Sequence, residues 1–151
     1  MIHRLETTTL LTVPIARAWE FFSDPRNLTK ITPPELDFVV RTPPAAGIYP
    51  GMMIEYRVRP LLGIPALWLT EITQVAKELY FVDEQRVGPY RVWHHEHHFK
   101  PTDDGSTEMT DRVTYALPFG FLGNLVHPIL VKPQLAKIFA FRERAVKELF
   151  G

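Results

Sequence analysis

Residues 91 to 100 read RVWHHEHHFK, so four of the six histidines in a 151-residue chain, with one glutamate among them, fall between positions 94 and 98. Imidazole changes charge nearest neutral pH and is also a frequent metal ligand. The segment therefore invites proton transfer, metal binding, or the anchoring of a polar group on a ligand. In an extended strand, Trp93, His95, His97 and Phe99 share one face, and Val92, His94, Glu96, His98 and Lys100 the other. A second strand-like stretch, residues 106 to 117, sets Met109, Asp111, Val113 and Tyr115 against Glu108, Thr110, Arg112 and Thr114. Pairing the two stretches as a hairpin with their apolar faces matched brings Asp111 beside His95 or His97.

Three roles fit that grouping. It can be a core polar cluster in which a carboxylate and an imidazole satisfy each other. It can be the polar end of an apolar pocket, fixing a carbonyl or hydroxyl of a ligand. It can also be a general acid or base, His95 or His97 with Asp111 orienting it, as a cyclase or dehydratase requires. His95, His97 and Asp111 could equally form a two-histidine, one-carboxylate metal set. His94, Glu96 and His98 offer a similar set on the outer face, where a solvated strand surface is the simpler explanation. No metal is assigned and no cofactor is expected.

Positioning these groups requires a sheet. The stretch 3–12 alternates as a strand, and Pro14 then opens a short helix carrying Ile15, Ala18, Trp19 and Phe22, stopped at Asp24-Pro25. One further helical turn over RNLTKITPP precedes an extended LDFVVRT and a turn-rich PPAAGIYPG. The segments MMIEYRVRP, ALWLTEITQVAK, LYFVDEQRVG, RVWHHEHHFK and STEMTDRVTYAL form an antiparallel meander. In the last segment of the chain, Leu135, Ile138, Phe139, Arg142, Val146 and Leu149 recur at spacings of three and four, which predicts a long amphipathic helix. A curved sheet burying one face against that helix is an α+β domain, and a cavity between them is a natural ligand site. Inward parity adds Ile54, Tyr56 and Val58; Trp68, Thr70 and Ile72; and Phe81, Asp83 and Gln85, with plain core packing as the competing role for the apolar ones. The candidate ligand contacts are thus Tyr56, Trp68, Phe81, Asp83, Trp93, His95, His97, Phe99, Asp111 and Tyr115. Pro118 to Gly123 form a candidate lid over an entrance.

The totals exclude several classes. Seventeen basic and seventeen acidic residues cancel, leaving no net field to attract nucleic acid or an anionic membrane. Without cysteine there is no disulfide, zinc ribbon or thiol nucleophile. The apolar run 115–131 is broken by Pro118, Asn124, His127 and Pro128 and is too short to span a bilayer. The start of the chain lacks the pattern of a signal peptide, so the expectation is one cytoplasmic domain covering residues 1–151.

Four stretches, VPIARAWEFFSDPRNLTKITPP, FVDEQRVGPYRVWHHEHHF, EMTDRVTYALPFGFLG and IFAFRERAVKELF, together make the chain resemble the START-like, or SRPBCC, superfamily. Within it the chain is similar to the bacterial cyclase/dehydrase-type, ligand-binding branch. The resemblance covers nearly the whole chain. It implies the helix-grip fold: a curved, seven-stranded antiparallel sheet around a long C-terminal helix, with two short helices after the first strand. It also implies a deep cavity for lipids, sterols, polyketides or quinones. Function does not follow from the fold. The leading expectation is binding or transport of a small hydrophobic ligand. The alternatives are a polyketide cyclase/dehydratase-like enzyme using a His-Asp pair and a regulatory domain that binds a protein partner.

Overall fold

The computed structural model describes residues 1–42 and 47–151. Among them, seven strands form one antiparallel sheet in the order β1-β7-β6-β5-β4-β3-β2. These are β1 (His3–Leu11), β2 (Val39–Val40), β3 (Met52–Leu61), β4 (Ile64–Ala76), β5 (Tyr80–Val87), β6 (Val92–Pro101) and β7 (Thr107–Ala116). β3 to β7 follow one another as hairpin neighbours, which is the predicted meander. β1 and β2 lie at opposite edges, so the chain between them must cross the sheet. It does so through α1 (Ile15–Phe22) and two 3-10 turns, Pro25–Ile31 and Pro34–Leu36. Ala18, Trp19, Phe21 and Phe22 bury one side of α1, and Asp24 caps the next turn by accepting a hydrogen bond from the Arg26 amide at 3.0 Å.

LDFVVRT is less regular than its pattern predicts. Only Val39 and Val40 join the sheet, opposite Arg57 and Tyr56. Asp37 takes a left-handed conformation (φ 46°) and faces Arg57 and Arg59 at 3.1 and 3.4 Å, so the turn chemistry of an aspartate overrides the strand pattern. Of PPAAGIYPG, residues 43–46 lie outside the described residues.

β7 leads into α2 (Phe121–Val126), a π turn (His127–Val131) and the 19-residue α3 (Lys132–Phe150). Gly123 is what lets α2 sit against the preceding turn, since a Cβ there would meet the Pro118 carbonyl oxygen. α3 buries Leu135, Phe139 and Val146 against the concave face of the sheet. Leu149, on the predicted stripe, is 48% exposed, and it is the neighbouring Phe150 that packs on the core, 4.9 Å from the Phe21 ring.

The core is divided rather than continuous. One cluster joins α1 to Phe81, Phe99, Met109 and Val146. A second gathers Val113, Tyr115, Val131, Leu135 and Phe139, and a third Met52, Ile54, Tyr56 and Ile72. A cavity of about 190 Å3 lies where the three would otherwise meet, walled by residues from each. That space equals several water molecules' share of liquid volume, and its walls are too apolar to hold that many waters well.

Candidate functional site

The polar pole of the cavity is built across three adjacent strands. Register places Asp83 of β5 opposite His95 of β6, and His97 of β6 opposite Asp111 of β7. Alternation turns all four side chains to the concave face, where α3 lays Arg142 over them. His95 Nε2 donates to Asp111 Oδ1 at 2.8 Å, and His97 Nε2 donates to Asp83 Oδ2 at 2.6 Å. The other ring nitrogen of His97 lies 3.2 Å from Asp111 Oδ1, an ionic contact poorly aligned for a hydrogen bond. The Arg142 guanidinium is 3.3 Å from the same carboxylate and lies against the Phe22 and Phe139 rings, 5.6 and 5.9 Å from their centroids.

Counting charge in this dry setting fixes the protonation pattern. Two carboxylates and one guanidinium leave a deficit of one positive charge, and a buried net charge is far costlier than a paired one. One imidazole must carry the compensating proton. The rings of Phe81, His97 and His95 form a stack, with centroid separations of 4.1 and 3.8 Å, and two imidazolium ions cannot share it. Burial works against a charged His97, but its contacts with Asp111 and Asp83 outweigh burial and raise its pKa above the ordinary value. His95 is pushed the other way, by burial and then by the neighbouring His97 charge. Burial opposes ionisation of both carboxylates as well. The His97 hydrogen bond nevertheless keeps Asp83 below its usual range, and the Arg142 charge and the imidazole bonds hold Asp111 well below it. The cluster is therefore a neutral quartet of Asp83, His97, Asp111 and Arg142, with neutral His95 beside it. His95 lines the cavity, and its Nδ1, left free by the Nε2 bond to Asp111, is 3.9 Å from Asp83 Oδ2.

Of the candidate ligand contacts, Tyr56, Trp68, Phe81, Asp83, Trp93, His95 and His97 line the cavity, as do Ile54, Val58, Thr70 and Ile72. Phe99, Tyr115 and Asp111 do not. Phe99 packs on Trp19 and Phe22 at 5.4 and 5.9 Å, one end too far along β6. Tyr115 bonds its hydroxyl to His127 Nε2 at 2.6 Å, near the opposite end of the sheet. Asp111 lies behind the imidazoles, where it positions them without facing the cavity. The carboxylate on the cavity side is Asp83 instead. Gln85 is also elsewhere engaged: its amide brackets the Tyr90 backbone, donating to the carbonyl at 2.6 Å and accepting from the N–H at 3.0 Å.

The metal set changes in the same way. Among the described residues, the group close enough to hold an ion is Asp83, His95 and His97, with ligand atoms within 4.8 Å of one another. A divalent cation there would answer the same electrostatic need that the His97 proton already meets. On the outer face, His94 contacts Glu84 at 3.2 Å and His98 contacts Glu96 at 3.1 Å, a partly exposed polar strand surface.

Arg142 and Tyr90 were not among the candidates. A lone arginine inside the apolar stripe of α3 is the signal that points to Arg142, since such a position needs a buried counter-charge. Tyr90 gives no signal in its own loop. It packs between Trp68 and Trp93, at 5.7 and 4.8 Å. It also walls both the main cavity and a second one of about 240 Å3 lined by Pro60, Leu61, Pro118, Phe119 and Val126.

Solved structures share this architecture at low sequence identity. The Zhui aromatase/cyclase from Streptomyces sp. R1128 superposes with a TM-score of 0.74 at 14% identity, covering 97% of this chain and 92% of that one. Ginseng major latex-like protein 151 from Panax ginseng gives 0.72 at 11%, covering 100% and 99%. Protein Ms6760 from Mycobacterium smegmatis gives 0.69 at 20%, covering 97% and 89%. No curated protein matches by sequence. The sequence model of the family described as polyketide cyclase / dehydrase and lipid transport matches residues 11–136, and with the helix-grip fold around an apolar cavity in place, the chain belongs to that family.

Proposed function

We propose that the protein encloses a small, largely apolar molecule between the sheet and α3 and holds one polar group of that molecule against His95 and Asp83. The observation that carries this reading is the contrast within one cavity: apolar walls from three core clusters and a single charge-balanced polar pole. A neutral pole favours a neutral ligand, because an ionised group would bring an unpaired charge into a low-dielectric space. His95 Nδ1 and Asp83 both accept hydrogen bonds, so the matching ligand group is a hydroxyl or phenol. Native mass spectrometry of the protein as purified tests the idea. A co-purified apolar molecule that is lost in His95→Ala supports it, and an empty cavity with no ligand taken up from a lipid extract overturns it.

A second reading is supported by one observation: His95 and His97 lie in ring contact, with pKa values displaced in opposite directions. Neighbouring groups driven apart in this way are suited to be base and acid in one reaction. Neutral His95 would remove a proton from a carbon next to a carbonyl, the resulting carbanion would close a ring onto a second carbonyl, and the His97 imidazolium would protonate the alkoxide so formed. His97, now neutral, would then take the second proton from the same carbon while His95, now protonated, protonates the hydroxyl, which leaves as water and returns both rings to their starting states. This is the cyclase/dehydratase alternative. His95→Gln separates the two readings: a cyclase loses turnover while retaining substrate affinity, whereas a carrier shows no turnover in either form.

A further inference from the structure

Apolar side chains are exposed at one end of the molecule in a pattern that packing does not explain. At the tip of the β3–β4 hairpin, Leu62 and Ile64 are 75% and 63% exposed. Across the second cavity, Phe119, Phe121, Leu125 and Ile129 are 61 to 81% exposed. That cavity is lined by both segments, and Gln134 Nε2 approaches the Pro60 carbonyl at 3.4 Å, so the two segments form one rim. The backbone is strained at both places. Leu62 and Phe119 have φ of 53° and 67°, a region normally left to glycine or asparagine, and the Leu62-Gly63 turn closing the hairpin sets an apolar side chain where Asn usually stands. Strain that displays a greasy side chain to solvent has no folding benefit.

Charge selects the partner: the chain as a whole is neutral and exerts no long-range pull, but this end of it is locally short of acids. Residues 113–142 contain no aspartate or glutamate, and neither do residues 56–70. Arg91, whose amide bonds to Ala116 at 3.0 Å, and Lys132, next to the π turn, are exposed, and among the described residues neither is in an ion pair. Asp37, which reaches this end through Arg59 and its bond to the Gly63 carbonyl, is held by Arg57 and Arg59.

We infer that this rim docks on an anionic lipid surface, with Leu62, Phe119, Phe121 and Ile129 entering the headgroup boundary and Arg91 and Lys132 meeting acidic headgroups. Apolar insertion with flanking cations fits a bilayer better than a folded partner, which would need a polar pattern to set its register. The docked rim places the second cavity over the lipid, with Tyr90 between it and the polar pole. The purpose of docking rests on the carrier reading; the docking itself does not.

Co-sedimentation with vesicles of phosphatidylcholine, alone or with one third phosphatidylglycerol, tests this. Binding to the anionic vesicles is expected to weaken with salt, to fall about tenfold in Phe121→Ser and in Ile129→Ser, and to fall about fivefold in Lys132→Glu. No binding to anionic vesicles, or equal binding by all variants, overturns the inference. So does a concentration-dependent dimer in analytical ultracentrifugation that Phe121→Ser dissociates, which would make a second copy the occupant. Uptake of 2-naphthol, a neutral phenol followed by its own fluorescence, in vesicle-free buffer reports on the cavity alone. Uptake without vesicle binding leaves the carrier reading standing and the docking overturned, and vesicle binding without uptake does the reverse.

Discussion

The two ends of the cavity system invert the usual distribution of residues. At one pole, four charged side chains and a neutral imidazole are buried or largely buried between the sheet and α3; at the rim, six large apolar side chains stand in solvent. The pole is tolerable because its charges sum to zero and each has a partner within 3.3 Å. The rim has no such compensation inside the molecule. What is buried is explained by partners already present, and what is exposed calls for a partner that is not. One end can be understood as structure that also serves a site, the other only as a surface awaiting contact.

Substitutions can break that comparison, beginning at the pole. Asp111→Ala leaves the Arg142 guanidinium and a protonated His97 without their shared carboxylate, and a loss of about 3 to 5 kcal/mol is expected from denaturant unfolding. Arg142→Met strands Asp111 in turn, at a cost of about 2 to 4 kcal/mol, and Asp111→Asn added to it recovers part of that loss. A strictly additive double variant would show that the two groups do not act as one unit.

Acidity and alkalinity should affect the pole with opposite signs. His97 has a raised pKa, so the stability its proton supplies is complete below the ordinary imidazole value of about 6.5 and is lost as pH rises through the higher folded value. His95 has a lowered pKa, so its contribution is complete above about 6.5 and is lost as pH falls through the lower folded value. The thermal midpoint should therefore pass through a maximum at about pH 6.5, falling on both sides, and His97→Gln should remove the alkaline slope alone. Filling the cavity is gentler on the fold. Val58→Phe enters free space, so it costs under about 1.5 kcal/mol while cutting the affinity for an apolar ligand by about tenfold or more. At the rim, Phe119→Ser should leave the unfolding free energy within about 0.5 kcal/mol. A large loss there would mean that the exposed rings are structural after all.

Alternation made much of the pole legible in advance. Which side of β6 carries His95 and His97 is a local property of a strand, and hairpin pairing brought Asp111 next to them. Parity does not say how far the cavity extends along or across the strands, so Phe99 lies on the correct face but beyond its end, and Tyr115, opposite Trp93, lies one strand to the side. Nor does it say which carboxylate lies on the cavity side of the rings, because Asp83 and Asp111 flank β6 symmetrically until the strands curve and α3 covers one of them. Arg142 depends on the crossing of helix and sheet, a three-dimensional relation that no periodicity encodes. The helical pattern placed it on the inward stripe without revealing what it would meet there.

Tyr90 stands between two chambers, and its backbone is pinned on both sides by Gln85. Main-chain movement is thereby restrained, and the phenol ring is packed as well, against Trp68, Trp93 and Tyr115. Pro60 joins it in walling both chambers. A divider anchored at backbone and ring alike gives each space a fixed boundary, so an occupant of either is measured against a wall that does not yield.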